Sequence, residues 1–88
     1  MIKRDFQIKN EMGLHARAAA LFVQTTNKFA SDIFLEKDNE RVNAKSIMGI
    51  MALGIPKNSK ITIMVNGIDE EEAIEELSDL INNRLKDL

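Results

Sequence analysis

The chain lacks cysteine, tryptophan and tyrosine, and it has one histidine and one proline among 88 residues. Without cysteine it can form no disulfide and offers no thiolate to a metal, which suits a reducing compartment such as the cytoplasm. With a single histidine and no thiolate, zinc has almost no ligands. We therefore expect no metal site, no cofactor and a cytoplasmic protein.

Long apolar runs and an excess of positive charge are also missing. The apolar stretches are too short to span a bilayer, and the first ten residues, MIKRDFQIKN, lack the apolar core of a signal peptide. A net charge of −2 argues against direct binding of nucleic acid, which needs a concentrated basic face. At 44% hydrophobic, 88 residues predict one domain over 1–88. Its core is too small for a large internal cavity, so we expect surface chemistry.

Alternating apolar residues predict the strands. Residues 1–8 and 60–67 each place apolar side chains on one side at a period of two. Residues 31–44 predict a hairpin, because Asp38 and Asn39 form a turn whose residue types can adopt positive φ. Each strand has one apolar face, which indicates an antiparallel sheet.

Helical spacing of apolar residues predicts three helices. The first begins just after His15, the second takes one or two turns of KSIMGIMALGI, and the third covers residues 69–88. In the third, Asp69 is the expected N-cap, with Glu72 reaching back to it. The order βαββαβα predicts an α+β fold. This is an open-faced two-layer sandwich, a four-stranded antiparallel sheet covered on one face by three helices.

The single histidine lies in GLHARAAALF, residues 13–22, at the predicted start of a helix. A helix N-terminus carries roughly half a positive charge and binds anions well. Arg17 adds a permanent cation with donors suited to phosphate. Because neutral imidazole is a competent nucleophile, His15 is a candidate for accepting a phosphoryl group. The alternative is a solvated surface pair without a role.

Ser46 precedes the second predicted helix and is a candidate N-cap. A phosphate added at a helix start is also tolerated electrostatically. Beside it, Ile47, Met48 and Met51 belong to a segment too short to bury every side chain. Such methionines are core residues or, when exposed, an adaptable surface for several partners.

GLHARAAALFVQ, SDIFLEKDNERVNAKSIMGIMALGI and the acidic final helix together resemble the HPr family of bacterial phosphocarrier proteins over nearly the whole chain. The resemblance implies a carrier that is not itself an enzyme. It implies that Nδ1 of His15 accepts a phosphoryl group from phospho-Enzyme I of the sugar phosphotransferase system and passes it to IIA domains of sugar permeases. The resemblance also implies that Arg17 assists the transfer. We expect a monomer with a partner-binding surface formed by Ala16, Ala20, Ile47, Met48 and Met51.

The segment KSIMGIM resembles the form found in low-GC Gram-positive bacteria. That likeness implies that the HPr kinase/phosphorylase modifies Ser46, and that the phosphoserine form is a corepressor of the catabolite control protein CcpA. One departure is Ala18, where the family usually has proline after the arginine. Proline in a first helical turn loses no used hydrogen bond, so the exchange bears on transfer rate rather than on the site.

Three other functions are alternatives for these residues. A regulator similar to Crh keeps the serine but has glutamine at the active position, which His15 argues against. A carrier of the nitrogen-related phosphotransferase branch is disfavoured by the segment around Ser46. A small phosphatase needs a side chain that positions water. Near His15 the sequence offers only Asn10, Glu11 and Gln24.

Overall fold

The computed structural model describes residues 1–88 as a four-stranded antiparallel sheet with helices packed against it. The strands are β1 (Ile2–Gln7), β2 (Asp32–Lys37), β3 (Glu40–Asn43) and β4 (Lys60–Asn66), in the spatial order β1-β4-β2-β3. The helices are α1 (Ala16–Thr26), α2 (Ile47–Leu53) and α3 (Glu70–Asp79), and a π-helical turn, Leu80–Arg84, follows α3. The predicted βαββαβα sandwich is confirmed. None of these helices is long and apolar enough to cross a membrane.

The core lies between one face of the sheet and the helices. Ile61, Ile63 and Val65 of β4 are buried on one face of the sheet, and Met64 between them is buried as well. The register pairs Ile63 with Leu35 and Val65 with Ile33, so β2 presents its apolar face on the same side. The helices contribute buried side chains to this core, among them Ala19, Phe22, Ile74 and Leu77. The apolar periodicity of the sequence therefore identified the buried faces correctly.

The predicted hairpin is confirmed, because β2 and β3 pair antiparallel from Lys37↔Glu40 to Phe34↔Asn43. Asp38 and Asn39 both have positive φ, 51° and 69°. These angles match the type I′ turn, whose twist fits that of the flanking strands.

The predicted capping of α3 is wrong in its side-chain contacts. Asp69 occupies the N-cap position but makes no capping hydrogen bond with its side chain. Its carboxylate instead accepts hydrogen bonds from the backbone N–H groups of Ala30 and Ser31, at 2.8 and 2.9 Å, and from the Ser31 hydroxyl. Glu70, not Glu72, reaches back and accepts from the Gly67 N–H at 3.1 Å. These hydrogen bonds lower the pKa of both Asp69 and Glu70.

The final helix does not continue to residue 88 as expected. It leaves α geometry after Asp79, and the Leu85 N–H donates to the Leu80 C=O at 2.8 Å, a bond that spans five residues. In an α-helix those two side chains would point about 140° apart. The wider π turn reduces this angle between Leu80 and Leu85. Both side chains are fully buried, and Ile81 is also buried, at 4% exposure.

Candidate functional site

His15 is the N-cap of α1, as the sequence predicted. Its backbone is extended, with φ −74° and ψ −179°, and its C=O accepts the first helical bond from the Ala19 N–H at 2.7 Å. The N–H groups of Ala16, Arg17 and Ala18 have no acceptor within the chain. The His15 side chain makes no capping hydrogen bond, so it leaves the N–H groups of the exposed residues Ala16 and Arg17 open, whereas Ala18 is fully buried. An anion near the ring would meet an unoccupied helix N-terminus.

The loop before His15 is held against the segment that follows α2. Gly13 has φ +65°, and a Cβ at this position would lie 2.2 Å from the Ile55 carbonyl oxygen. The next N–H, that of Leu14, donates to the same Ile55 oxygen at 2.9 Å. Asn10 is buried and donates from Nδ2 to the Gly13 C=O at 2.6 Å. Only glycine permits this approach, so Gly13 fixes where His15 emerges.

His15 opens into a surface depression of about 290 Å³ that is mainly apolar. Its lining is formed by Met12, Leu14, His15, Met51, Gly54, Ile55 and Pro56. Within the half-buried His15 ring, Nε2 is buried and has no hydrogen-bond partner. The same does not hold for Nδ1.

Arg17 is exposed and takes part in none of the salt bridges of the chain. Its guanidinium is therefore free to bind an anion or a partner. Ala16 is exposed and Ala20 is half-buried on the same helix. These small side chains leave the surface beside His15 open to close approach.

The second helix presents its apolar residues to solvent. Ile50 is fully buried and anchors α2, whereas Ile47 is 38%, Met48 80% and Met51 47% exposed. Gly54 ends the helix in the left-handed region with φ 59°. Met51 lies four residues after Ile47 and three after Met48, so these side chains form one exposed apolar face of α2 (Ile47–Leu53).

Ser46 is the N-cap of α2, as expected, and its Oγ accepts a hydrogen bond from the Gly49 N–H at 3.2 Å. The serine is half-buried and does not line the depression around His15. Met51, at the other end of the helix, does line it. The structure therefore brings Met51 beside His15 and places Ser46 five residues before Met51, about one and a half helical turns away.

Met12, Gly54 and Pro56 also line the depression, and sequence reasoning did not identify them. Met12 is an apolar residue within a polar loop directly before Gly13, which was the available signal. Next to it, Glu11 accepts a hydrogen bond from the Lys57 ammonium at 2.8 Å, and this contact lowers the pKa of the Glu11 carboxyl. No three His, Cys, Asp or Glu side chains are grouped where they could hold a metal ion.

Comparison with protein families matches residues 2–83 to a family described as the PTS HPr component phosphorylation site. The chain belongs to the HPr family. HPr proteins are phosphocarriers of the phosphotransferase system, and solved HPr structures share this fold. The HPr of Thermoanaerobacter tengcongensis is 53% identical with a TM-score of 0.96, over 100% of this chain and 99% of that one.

Relatives within the HPr family include two kinds of protein. The phosphocarrier protein HPr of Neisseria meningitidis serogroup A is 46% identical over 93% of this chain and 92% of its own. The HPr-like protein Crh of Bacillus subtilis is 49% identical over 89% of this chain and 92% of its own. Overall identity therefore does not separate a carrier from a Crh-like protein, and that distinction depends on individual side chains.

Proposed function

We propose that this HPr-family chain is a phosphoryl carrier that accepts a phosphoryl group on His15 from phospho-Enzyme I and donates it to IIA domains of sugar permeases. The observation that carries the proposal is the position of His15. Its ring stands at a helix N-terminus whose first N–H groups lack acceptors, at the rim of an apolar depression. A phosphoryl group on this ring would meet helix donors and the free cation of Arg17.

The transfer uses Nδ1 as the nucleophile. In the neutral tautomer with the proton on the buried Nε2, the Nδ1 lone pair is free to attack phosphorus. The bond between phosphorus and Enzyme I then breaks, and its electron pair stays with Enzyme I. Arg17 and the open helix N–H groups stabilise the phosphoryl oxygens as their charge is redistributed. Donation to a IIA domain is the same displacement with His15 as the leaving group.

The surroundings of His15 favour a carrier over a phosphatase. A phosphatase needs a side chain that orients water, and the three nearby candidates have other positions. Asn10 is buried and donates to the Gly13 C=O. Glu11 is paired with Lys57. Gln24 lies nine residues along the chain, about 13 Å away along α1. The depression has no carboxylate or amide side chain in its lining, so a phosphohistidine there is protected from assisted hydrolysis.

A regulatory role for Ser46 is the second proposal, and the similarity to Crh favours it. One solved relative, 45% identical, is described as the Bacillus subtilis catabolite repression HPr. Ser46 caps α2 through a lone pair, so its hydroxyl stays available for phosphorylation by an HPr kinase/phosphorylase. We propose that the phosphoserine form then serves a CcpA-type catabolite regulator. His15 distinguishes this chain from a Crh-like protein that only regulates.

The compartment proposed for this chain is that of its phosphoryl donor, Enzyme I, and of its acceptors, the IIA domains. We propose that residues 1–88 act as one phosphocarrier domain in the cytoplasm, where Enzyme I and the IIA domains exchange phosphate. The partner surface comprises Ala16, Ala20, Ile47, Met48 and Met51, and the carrier acts as a monomer. Solved relatives include an HPr dimer from Thermoanaerobacter tengcongensis, so the oligomeric state should be measured during transfer.

The test is incubation with phosphoenolpyruvate and Enzyme I, followed over time. A carrier gives a burst of one phosphate bound per chain with no continuing release of inorganic phosphate. Steady release would instead indicate a phosphatase. Parallel reactions with Enzyme I of the sugar branch and of the nitrogen-related branch distinguish the two systems, and we expect faster transfer from the sugar branch.

A further inference from the structure

Three of the five methionines have exposed thioethers on or next to the surface around His15. The chain has five methionines and no cysteine, tryptophan or tyrosine, so its thioethers are the groups most open to a hydroperoxide. Met12 is 66% exposed, Met48 80% and Met51 47%. Met12 and Met51 line the depression that contains His15. Met48 lies three residues before Met51 in α2, and residues at this spacing are neighbours on a helix surface.

The other two methionines lie apart from this surface and serve as internal controls. Met1 is 70% exposed, but its amino group pairs with Glu70 at the start of α3. The length of β1, about 20 Å for six residues, separates it from the loop that leads to His15. Met64 is only 2% exposed within β4. The fold therefore contains one exposed remote thioether and one buried thioether.

We propose that Met12, Met48 and Met51 form an oxidation-sensitive docking surface, on which sulfoxide formation weakens phosphoryl transfer through His15. This inference rests on the carrier function proposed above. In each event a sulfur lone pair attacks one oxygen of hydrogen peroxide, the O–O bond breaks, and water leaves. The sulfur loses two electrons and the peroxide gains them. A methionine sulfoxide reductase reverses the change with two electrons from a dithiol and releases water.

The expected defect lies in docking. A thioether packs against an apolar partner surface at little cost, whereas the strongly polar S–O group of a sulfoxide must lose its water when the partner covers it. His15 and Arg17 are chemically unchanged, so the transfer step within the complex should keep its rate. One buried sulfoxide without a hydrogen bond should raise the KM for this protein by about fivefold or more.

The experiment treats the purified chain with hydrogen peroxide and maps the added oxygen by mass spectrometry. We expect Met48 to be oxidised first, Met1, Met12 and Met51 next, and Met64 to stay unmodified. Transfer from phospho-Enzyme I should then show the raised KM with little change in kcat and the same thermal midpoint. Treatment with methionine sulfoxide reductase should restore the original KM. An unchanged KM with all three methionines oxidised would overturn the proposal.

Two variants assign the effect to these residues. One carries Met12→Leu, Met48→Leu and Met51→Leu together, and the other carries Met1→Leu. For each we compare KM after and before peroxide, so a change in basal transfer does not affect the comparison. The triple variant should lose its sensitivity and the Met1 variant should keep it, whereas equal sensitivity in both would refute the assignment. If the untreated chain transfers phosphate normally and peroxide does not change its KM, the oxidation proposal is refuted and the carrier function is not. Failure of the untreated chain to accept phosphate refutes the carrier function as well.

Discussion

Replacement of Ala18 by proline tests whether the first turn of α1 is as open as the structure indicates. The Ala18 N–H has no acceptor, so proline at this position removes no hydrogen bond. It restricts the unfolded chain, which stabilises a compatible site by about 0.4–1 kcal/mol. Part of that gain is offset because proline disfavours helical dihedrals at the preceding residue, Arg17. We expect Ala18→Pro to leave stability equal or to raise it by up to about 1 kcal/mol, a rise in Tm of at most about 4–8 °C.

Ala19→Pro is the matched control, because Ala18 and Ala19 are neighbours and both are fully buried. The Ala19 N–H donates to the His15 C=O at 2.7 Å. Proline there removes that bond and places its ring against the helix, so we expect a loss of about 3 kcal/mol. Urea and thermal melts of the two variants beside the parent chain measure both changes under identical conditions.

Transfer kinetics complete the test of Ala18→Pro. Because proline holds Arg17 in a narrower set of conformations, transfer from phospho-Enzyme I should be equal or faster. A loss of more than about 1 kcal/mol in this variant would mean that the Ala18 N–H has a partner that proline removes, or that the proline ring does not fit this fully buried position. Such a loss together with slower transfer would refute the proposed role of the first helical turn in stabilising the phosphoryl group.

Three further predictions follow from single side chains. Arg17→Ala should slow transfer by more than tenfold with little change in the affinity for Enzyme I, and the loss should be about 100-fold if Arg17 acts as other transition-state donors do. An affinity loss that accounts for the whole loss of rate would assign Arg17 to docking. Ser46→Asp should raise the apparent KM for this protein in the reaction with Enzyme I while Tm is preserved, because the added charge stands beside the exposed Ile47 and Met48. A collapse in Tm would indicate a broken cap instead. Hydrogen bonds from Ser31 and Ala30 lower the pKa of Asp69 from its ordinary value of 3.8. The ionised Asp69 therefore contributes to stability above about pH 3.8, and this contribution is lost as the pH falls through the folded-state pKa. Asp69→Asn should therefore flatten the acid side of the stability profile, and an unaltered acid slope in urea melts would contradict this.

The sequence predicted those features that depend on neighbouring residues. Strand alternation and helical spacing are local patterns, and they placed the strands, the N-caps His15 and Ser46, and the Asp38–Asn39 turn correctly. Asp69 shows the limit of such reasoning. Its residue type fits a cap, but its carboxylate binds Ala30 and Ser31, which are nearly forty residues away in the chain.

The depression around His15 could not be predicted from local patterns either. It exists because Gly13 lets the loop before α1 pack against the Ile55 carbonyl, and this contact joins segments about forty residues apart. The π-helical turn has the same origin, since it is the packing of Leu80 and Leu85 into the shared core that determines where α geometry ends. Tertiary contacts of this kind override local propensity.

The proposed carrier function requires that His15 is the one residue phosphorylated by Enzyme I. The most direct measurement incubates the chain and its His15→Ala variant with phosphoenolpyruvate and Enzyme I, and then measures acid-labile phosphate and locates it by NMR. We predict one acid-labile phosphate per parent chain, on Nδ1 of His15, and none on the variant, whose thermal midpoint should stay close to that of the parent. Acid-labile phosphate that persists in His15→Ala, or its absence from the parent chain, would contradict the account.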